Sequence, residues 1–511
     1  MNKNKIFKAT FIVMVMTIIS RVIGFGRDIL AAYHFGVEGS YDIYVASVAI
    51  PESVFMIVGL AITTTFIPML SEIKHSKNKK EMFNFSNNII SILSLISIFI
   101  IILGLIFTKE IVNVFVPNFT AEKIELTIFL TRITLFNIIL LCINACFASI
   151  LQVCEDFVVP ALLGIFFNFP IIIYLLLFKE ISIVGLAIAN VIGNLLRVIV
   201  QLPSLYKNGY RIRLYINVKD EKFKNMIILI IPVIIGAGAN SINMLVDKSV
   251  ASGLVTGSMA ALEYSQRIIQ FANTAITTSL VSVVYPIMAN KLNEGDKEGF
   301  LKYLNKSIVT ICLFLVPITF GVMFLSNDIV RVIYERGKFE SNAVILTSMA
   351  LFGYSIQLPF AGVRDILNSS LFSMKKTKVT TINGVIGVIV NIILSITLSK
   401  FFGVLGISIA TSVSAIIIAL LLLNSTSKII GTFDVKELLI KVIKIFISSV
   451  IMIITLYYLN KFLVIESSFF IIILDGIIGA IIFFALCKIF RIEEFEEALN
   501  IVKNKLIGRE S

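Results

Sequence analysis

Apolar residues fill the chain in long blocks, broken by short polar stretches rather than alternating with them. A block of roughly 20 apolar residues is the length of a helix that crosses a bilayer. Fourteen such blocks can be read, with cores near 9–33, 41–70, 84–107, 125–150, 157–178, 182–202, 225–252, 259–289, 304–325, 343–370, 379–400, 404–424, 439–460 and 466–488. The short alternating segments of a membrane β-barrel are missing. The pattern predicts an all-α polytopic membrane protein with fourteen transmembrane helices. Every connection is short, so any chemistry has to happen within the membrane or at its edges.

The polar stretches set an orientation, because lysine and arginine favour the cytoplasmic side. With the N-terminus inside, the cytoplasmic loops hold Lys74, Lys77, Lys79 and Lys80, then Lys207, Arg211, Arg213, Lys219, Lys222 and Lys224. Outer loops hold far fewer, among them Lys109, Lys123 and Lys179. Both termini are therefore expected in the cytoplasm. The net charge of +12 belongs to these loops and does not call for a nucleic-acid partner. Composition agrees: 58% of residues are hydrophobic and only 15% are charged. The five cysteines and two histidines form no CxxC or other metal-ligand spacing. Lys3, Lys5 and Lys8 before an apolar run resemble a signal peptide, but Arg21 and Arg27 interrupt the expected cleavage region. The run is read as a retained first helix.

An internal repeat organises the blocks. Ile67-Pro68-Met69-Leu70 ends the second block, and Tyr285-Pro286-Ile287-Met288 ends the eighth, 218 residues later. At the same offset Asn87 faces Asn305, and Glu110-Ile111-Val112 faces Asp328-Ile329-Val330. The expected architecture is two six-helix repeats forming two lobes, plus two additional C-terminal helices. The expected division is 1–206 for the first lobe, 207–224 for a basic cytoplasmic linker and 225–428 for the second lobe. Residues 429–490 hold helices thirteen and fourteen. Residues 491–511 form an amphipathic cytoplasmic tail, with Phe495, Leu499, Val502 and Leu506 at helical spacing. In transporters with parallel repeats the substrate site lies between the halves.

Charges inside the blocks mark candidate chemistry, since each costs roughly 2.5–3.5 kcal/mol at the bilayer centre. The first block carries Ser20-Arg21-Val22-Ile23-Gly24-Phe25-Gly26-Arg27-Asp28. On a straight helix Arg21 and Asp28 share a face, while Arg21 and Arg27 point about 120° apart. Gly24 and Gly26 are read as a bend that brings both arginines to one cavity, with an Arg21–Asp28 salt bridge as the structural alternative. Asp42 opens the second block, and Glu52 follows Pro51, a candidate hinge. Glu263 and Arg267 sit at i, i+4 and favour mutual pairing. Arg364 has Asp365 beside it. Arg197 and Lys306 are near block ends and are read as snorkelling to the interface. Converging arginines suit a phosphate, which a guanidinium grips with two parallel hydrogen bonds. Asp247 is followed by Lys248 and is read as a local polar pair, with a monovalent cation site of Asp247, Asn391, Ser395 and Thr411 oxygens as the alternative. No P-loop, GxSxG or HExxH is present, so no enzyme activity and no cofactor is expected.

The Ser20–Asp28 motif, Asp42, and Phe66-Ile67-Pro68-Met69-Leu70-Ser71-Glu72 resemble the MurJ/MviN family, within the multidrug/oligosaccharidyl-lipid/polysaccharide exporter superfamily. The resemblance implies two lobes around a central cavity and alternating access. It implies a bacterial cytoplasmic-membrane flippase moving lipid II, a polyprenyl-pyrophosphate-linked glycan, for peptidoglycan synthesis. Arg21, Arg27 and Arg267 match the family's cavity arginines, and Asp28 and Asp42 its acidic positions. Family members often carry an arginine shortly after the second-span proline, where this chain reads Pro51-Glu52-Ser53-Val54-Phe55-Met56. A monomer in contact with membrane lipids is expected, driven by Na+ or the membrane potential. The rival readings are a flippase for another polyprenyl-linked oligosaccharide and a cation-coupled drug exporter.

Overall fold

The computed structural model describes residues 3–431, 435–463 and 465–506. Among them all regular structure is helical. In chain order the helices are α1 (Lys3–Phe35), α2 (Gly39–Ala61), α3 (Ile67–Ser76), α4 (Lys79–Ile106), α5 (Thr108–Phe115), α6 (Ala121–Thr134) and α7 (Asn137–Val153). Then come α8 (Val158–Leu177), α9 (Ile183–Lys207), α10 (Glu221–Ser252), α11 (Ser258–Asn273), α12 (Ser279–Asn293), α13 (Lys297–Phe324) and α14 (Ser326–Tyr334). The last are α15 (Ser341–Ser355), α16 (Leu358–Ser373), α17 (Thr377–Phe402), α18 (Val404–Ile430), α19 (Val435–Phe462), α20 (Ser468–Ile489) and α21 (Glu493–Leu506).

Counted over the described residues, eleven stretches are long and apolar enough to cross a membrane. A twelfth is the pair α15 and α16, bent by 42° where Pro359 enters the first turn of α16. Proline is tolerated there because a first-turn N–H has no intrahelical partner to lose. The helices α1 and α10 are outside that count, so the expected fourteen spans are not all accounted for by length and apolarity.

Caps explain several helix starts. Asn78 accepts the Glu81 N–H at 2.8 Å to open α4, and Asp296 accepts the Gly299 N–H at 2.8 Å to open α13. These caps are 218 residues apart, and each opens a helix of 28 residues. A short helix follows each, α5 and α14.

Contacts divide the chain into two compact units, Met1–Ala260 with Arg336–Phe339, and Ala261–Glu335 with Glu340–Ser511. The sequence places the division at 207–224; by packing, α10 goes with the first unit. There Ser241 on α10 donates a buried hydrogen bond of 3.1 Å to the Ser53 carbonyl on α2. The core of the first unit gathers Phe66, Leu70, Met82, Phe85, Phe147 and Tyr210. That of the second gathers Phe300, Leu304, Leu315, Leu371, Leu422 and Phe483. The 207–224 stretch is not a loose tether. Asn87 and Asn88 on α4 bond the backbone of Arg211, Arg213 and Asn217 at 2.6–3.2 Å, and Ser91 accepts the Tyr215 N–H at 3.1 Å. Side chains of α4 thus take the place a neighbouring strand would fill, satisfying an extended backbone.

Candidate functional site

The first unit builds its polar centre on α1. Arg27 donates Nε and Nη2 to Oδ1 of Asp28 at 3.0 and 2.6 Å. Asp28 is buried and Arg27 half-buried, whereas Arg21 is exposed. The ion pair is therefore Arg27–Asp28 and not the Arg21–Asp28 pair that face-sharing allowed. Helix α1 runs without a break through Gly24 and Gly26. Gly24 is packed closely against α8. A Cβ there would sit 3.2 Å from Nδ2 of Asn168 on α8, and its absence lets α8 approach.

Phe167, beside Asn168, receives the guanidinium of Arg27 at 5.5 Å from its ring centroid. The same ring receives Arg197 of α9 at 4.1 Å. Sequence reasoning let Arg197 snorkel; the structure turns it inward. Its Nη1 donates to Oδ1 of Asn194 at 3.2 Å and its Nε to the Leu163 carbonyl at 3.4 Å. Asn194 donates to Oδ1 of Asn137 at 2.9 Å, Asn137 to Oδ1 of Asn190 at 2.9 Å, and Asn190 to the Tyr44 hydroxyl at 3.1 Å. All three asparagines are buried. Asn190, Asn194, Arg197 and Gln201 follow helical spacing, so one face of α9 is polar along its length. That stripe was the available signal, because a snorkelling arginine needs no polar neighbours below it. Glu52 on α2 is exposed, yet close enough to Arg197 and Tyr44 to act on both electrostatically. Pro51 does not interrupt α2; the irregularity of this span is a π-helical turn at Ile62–Phe66.

Asp42 stands apart from this centre. It is buried, and its two oxygens accept the N–H groups of Gly257 and Ala260 at 2.7 and 2.9 Å. Each of its oxygens thus accepts a backbone N–H of the first unit.

In the second unit, Arg267 pairs with Glu263 at 2.7 Å, and Arg364 with Asp365 at 2.9 Å. Asn391 and Ser395 are buried and bonded to each other at 2.9 Å, and Thr411 donates to the Ile407 carbonyl at 3.1 Å. Asp247, the fourth expected cation ligand, belongs to the first unit. Among the described residues no three His, Cys, Asp or Glu side chains cluster as a metal site.

Residues 31–474 match the family model described as "Lipid II flippase MurJ". The chain belongs to the MurJ family. A curated MurJ of Thermosipho africanus, named a lipid II flippase, is 31% identical over 470 residues, covering 92% of this chain and 94% of that protein. A probable lipid II flippase MurJ of Buchnera aphidicola from Acyrthosiphon pisum is 29% identical, covering 82% and 83%. A solved structure, "Lipid II flippase MurJ, inward closed conformation", superposes with a TM-score of 0.81 at 28% identity, over 94% of this chain and 98% of that one. An inward-facing MATE family transporter shares the fold, with a TM-score of 0.70 at 14% identity. The MurJ model begins at residue 31, just after Arg21, Arg27 and Asp28, while the structural match spans nearly the whole chain. The helical membrane architecture expected from the hydrophobic blocks is that of a MurJ protein.

Proposed function

We infer that this chain is a flippase that carries lipid II from the inner to the outer leaflet of the bacterial cytoplasmic membrane. The observation that carries this is the match to the lipid II flippase MurJ model along residues 31–474. A transporter of this kind has no catalytic step, so the work lies in binding and in changing which side is open. In our reading the pyrophosphate is taken by Arg27, whose guanidinium is already oriented by Asp28 and Phe167. Arg21 and Arg267 carry the same assignment from the resemblance. The polyprenyl tail stays in the bilayer, where its hydrocarbon costs nothing to solvate.

Helices α1 and α10 also cross the membrane in this reading, giving fourteen spans and two six-helix repeats with both termini in the cytoplasm. The matched caps of α4 and α13 and the short helices after them support the repeat. The protein acts as a monomer, without a cofactor. The membrane potential or a sodium gradient biases the cycle, since one charge moved through 100 mV gains about 2.3 kcal/mol.

The test is depletion of the protein in a cell with no redundant flippase, followed by chemical labelling of lipid II at the outer leaflet. Accessible lipid II is expected to fall while total lipid II is maintained. Unchanged accessibility would refute the lipid II assignment.

A further inference from the structure

We propose that Arg197 is a second anion-binding guanidinium of the first unit, set beside Arg27 to take a phosphate group of the pyrophosphate. The proposal rests on the flippase reading and deepens it by naming a binding residue that neither the motif nor the family resemblance supplied.

The geometry points this way on three counts. First, the two guanidiniums share one aromatic ring, at 4.1 Å for Arg197 and 5.5 Å for Arg27. Cation–π attraction holds each of them, but two cations on one ring repel each other. The pyrophosphate, with two negative charges spread over two phosphates, relieves that repulsion and gains from both. Second, Arg197 is aimed by a built support. The chain Tyr44, Asn190, Asn137, Asn194 fixes its Nη1, and each link is buried or half-buried. Asn194 spends its oxygen on Arg197 and its amide on its neighbours, so the support is directional. Third, the support uses only Nε and Nη1. Among the described residues Nη2 of Arg197 has no hydrogen-bond acceptor. A guanidinium offers five donors, and a phosphate oxygen is the acceptor its fork fits.

A purely structural role is the competing account. It would have Arg197 tie α8 to α9 through the Leu163 carbonyl. That bond is 3.4 Å long, beyond the usual range for a strong N–H···O contact. Glutamine would serve it as well, without a charge to bury.

The experiment uses the full-length protein purified in detergent, as wild type, Arg197→Gln, Arg197→Lys and Phe167→Ala. The probes are undecaprenyl pyrophosphate and undecaprenyl monophosphate, with affinities read by native mass spectrometry and thermal unfolding recorded for each variant. Arg197→Gln is expected to weaken pyrophosphate binding by about tenfold or more, and monophosphate binding by less than about threefold. Arg197→Lys, which keeps the charge and loses the fork, should fall between wild type and Gln. Phe167→Ala should weaken pyrophosphate binding as well. Pyrophosphate affinity unchanged in Arg197→Gln overturns the proposal. So does an equal loss for both probes accompanied by a lowered unfolding midpoint. If Arg197→Gln does not fold, Arg197→Lys decides: wild-type discrimination between the two probes overturns the proposal, and reduced discrimination supports it. Lipid II translocation by the wild type in proteoliposomes is measured in parallel. Translocation with unchanged Arg197→Gln binding removes Arg197 alone. Absence of translocation with Arg197-dependent pyrophosphate binding removes the lipid II reading and leaves the anion site.

Discussion

A buried carboxylate in a membrane helix can serve a ligand or the fold, and the hydrogen bonds of Asp42 to backbone N–H groups predict a part in the fold. Replacing it with alanine leaves the N–H groups of Gly257 and Ala260 without their acceptor. An unsatisfied buried donor costs ~1–3 kcal/mol. Asp42→Ala is therefore expected to lower the thermal unfolding midpoint in detergent, and Asp42→Asn, which keeps one acceptor oxygen, to recover part of the loss. An unchanged midpoint in Asp42→Ala would contradict the role. Arg27 is the opposite case. Arg27→Ala should cut lipid II translocation in proteoliposomes by about tenfold or more, with membrane abundance maintained. If abundance collapses instead, Arg27 holds α1 to α8 through its contact with Phe167. Both residues are visible in the sequence as charges inside apolar blocks. Their division of labour is not, because the partners of Asp42 are backbone groups 215 and 218 residues away.

At the scale of elements, helices were legible because an apolar block of bilayer length has few alternatives. Their irregularities were harder to place. Glycine and proline suggested bends at 24, 26 and 51, yet α1 and α2 run through those positions, and helical irregularities fall at Ile62–Phe66, Leu135–Phe136, Thr274–Thr278 and before Leu358. Neighbouring helices decide whether a permissive residue bends or simply packs closely. The tail was legible as a helix, and its docking is more specific than a helix lying on a surface. Lys441 on α19 pairs with Glu437, Glu493 and Glu494 at 2.9, 2.7 and 3.0 Å. Lys306 on α13, read as reaching for the interface, pairs with Glu497 of this tail. Phe495 is buried and stacks on Phe484 of α20 at 5.3 Å. The expected apolar positions Val502 and Leu506 lie outside the residues whose side chains are described. The Lys441 ammonium holds the Glu493 carboxyl below its ordinary range, through a hydrogen bond first and charge second. A depressed folded value means the contribution is present above the unfolded value, about 4.3, and is lost as pH falls through the lowered one. A spin label at position 496 should therefore gain mobility as pH falls from 7 through the lowered Glu493 value, and Lys441→Ala should show that mobility already at pH 7. A label equally immobile at both pH values would refute the ionic docking.

For the whole molecule, the distribution of lysine and arginine makes a topological prediction. With the native cysteines replaced, a single cysteine at Lys179 should react with an impermeant maleimide in intact cells, and one at Lys77 only after permeabilisation. Reaction at 77 in intact cells would invert the orientation. Sequence alone determined that this is a helical membrane protein, which of its loops are basic, and its resemblance to the MurJ family. Those properties are linear: hydropathy, block length and motif spacing are carried by neighbours along the chain. Tertiary structure decided which charges meet. A helix's period tells which residues share its face, but not which other helix that face will meet. So only packing showed that Asp28 pairs with Arg27, that α10 joins the first unit, and that Arg197 turns inward to share Phe167 with Arg27.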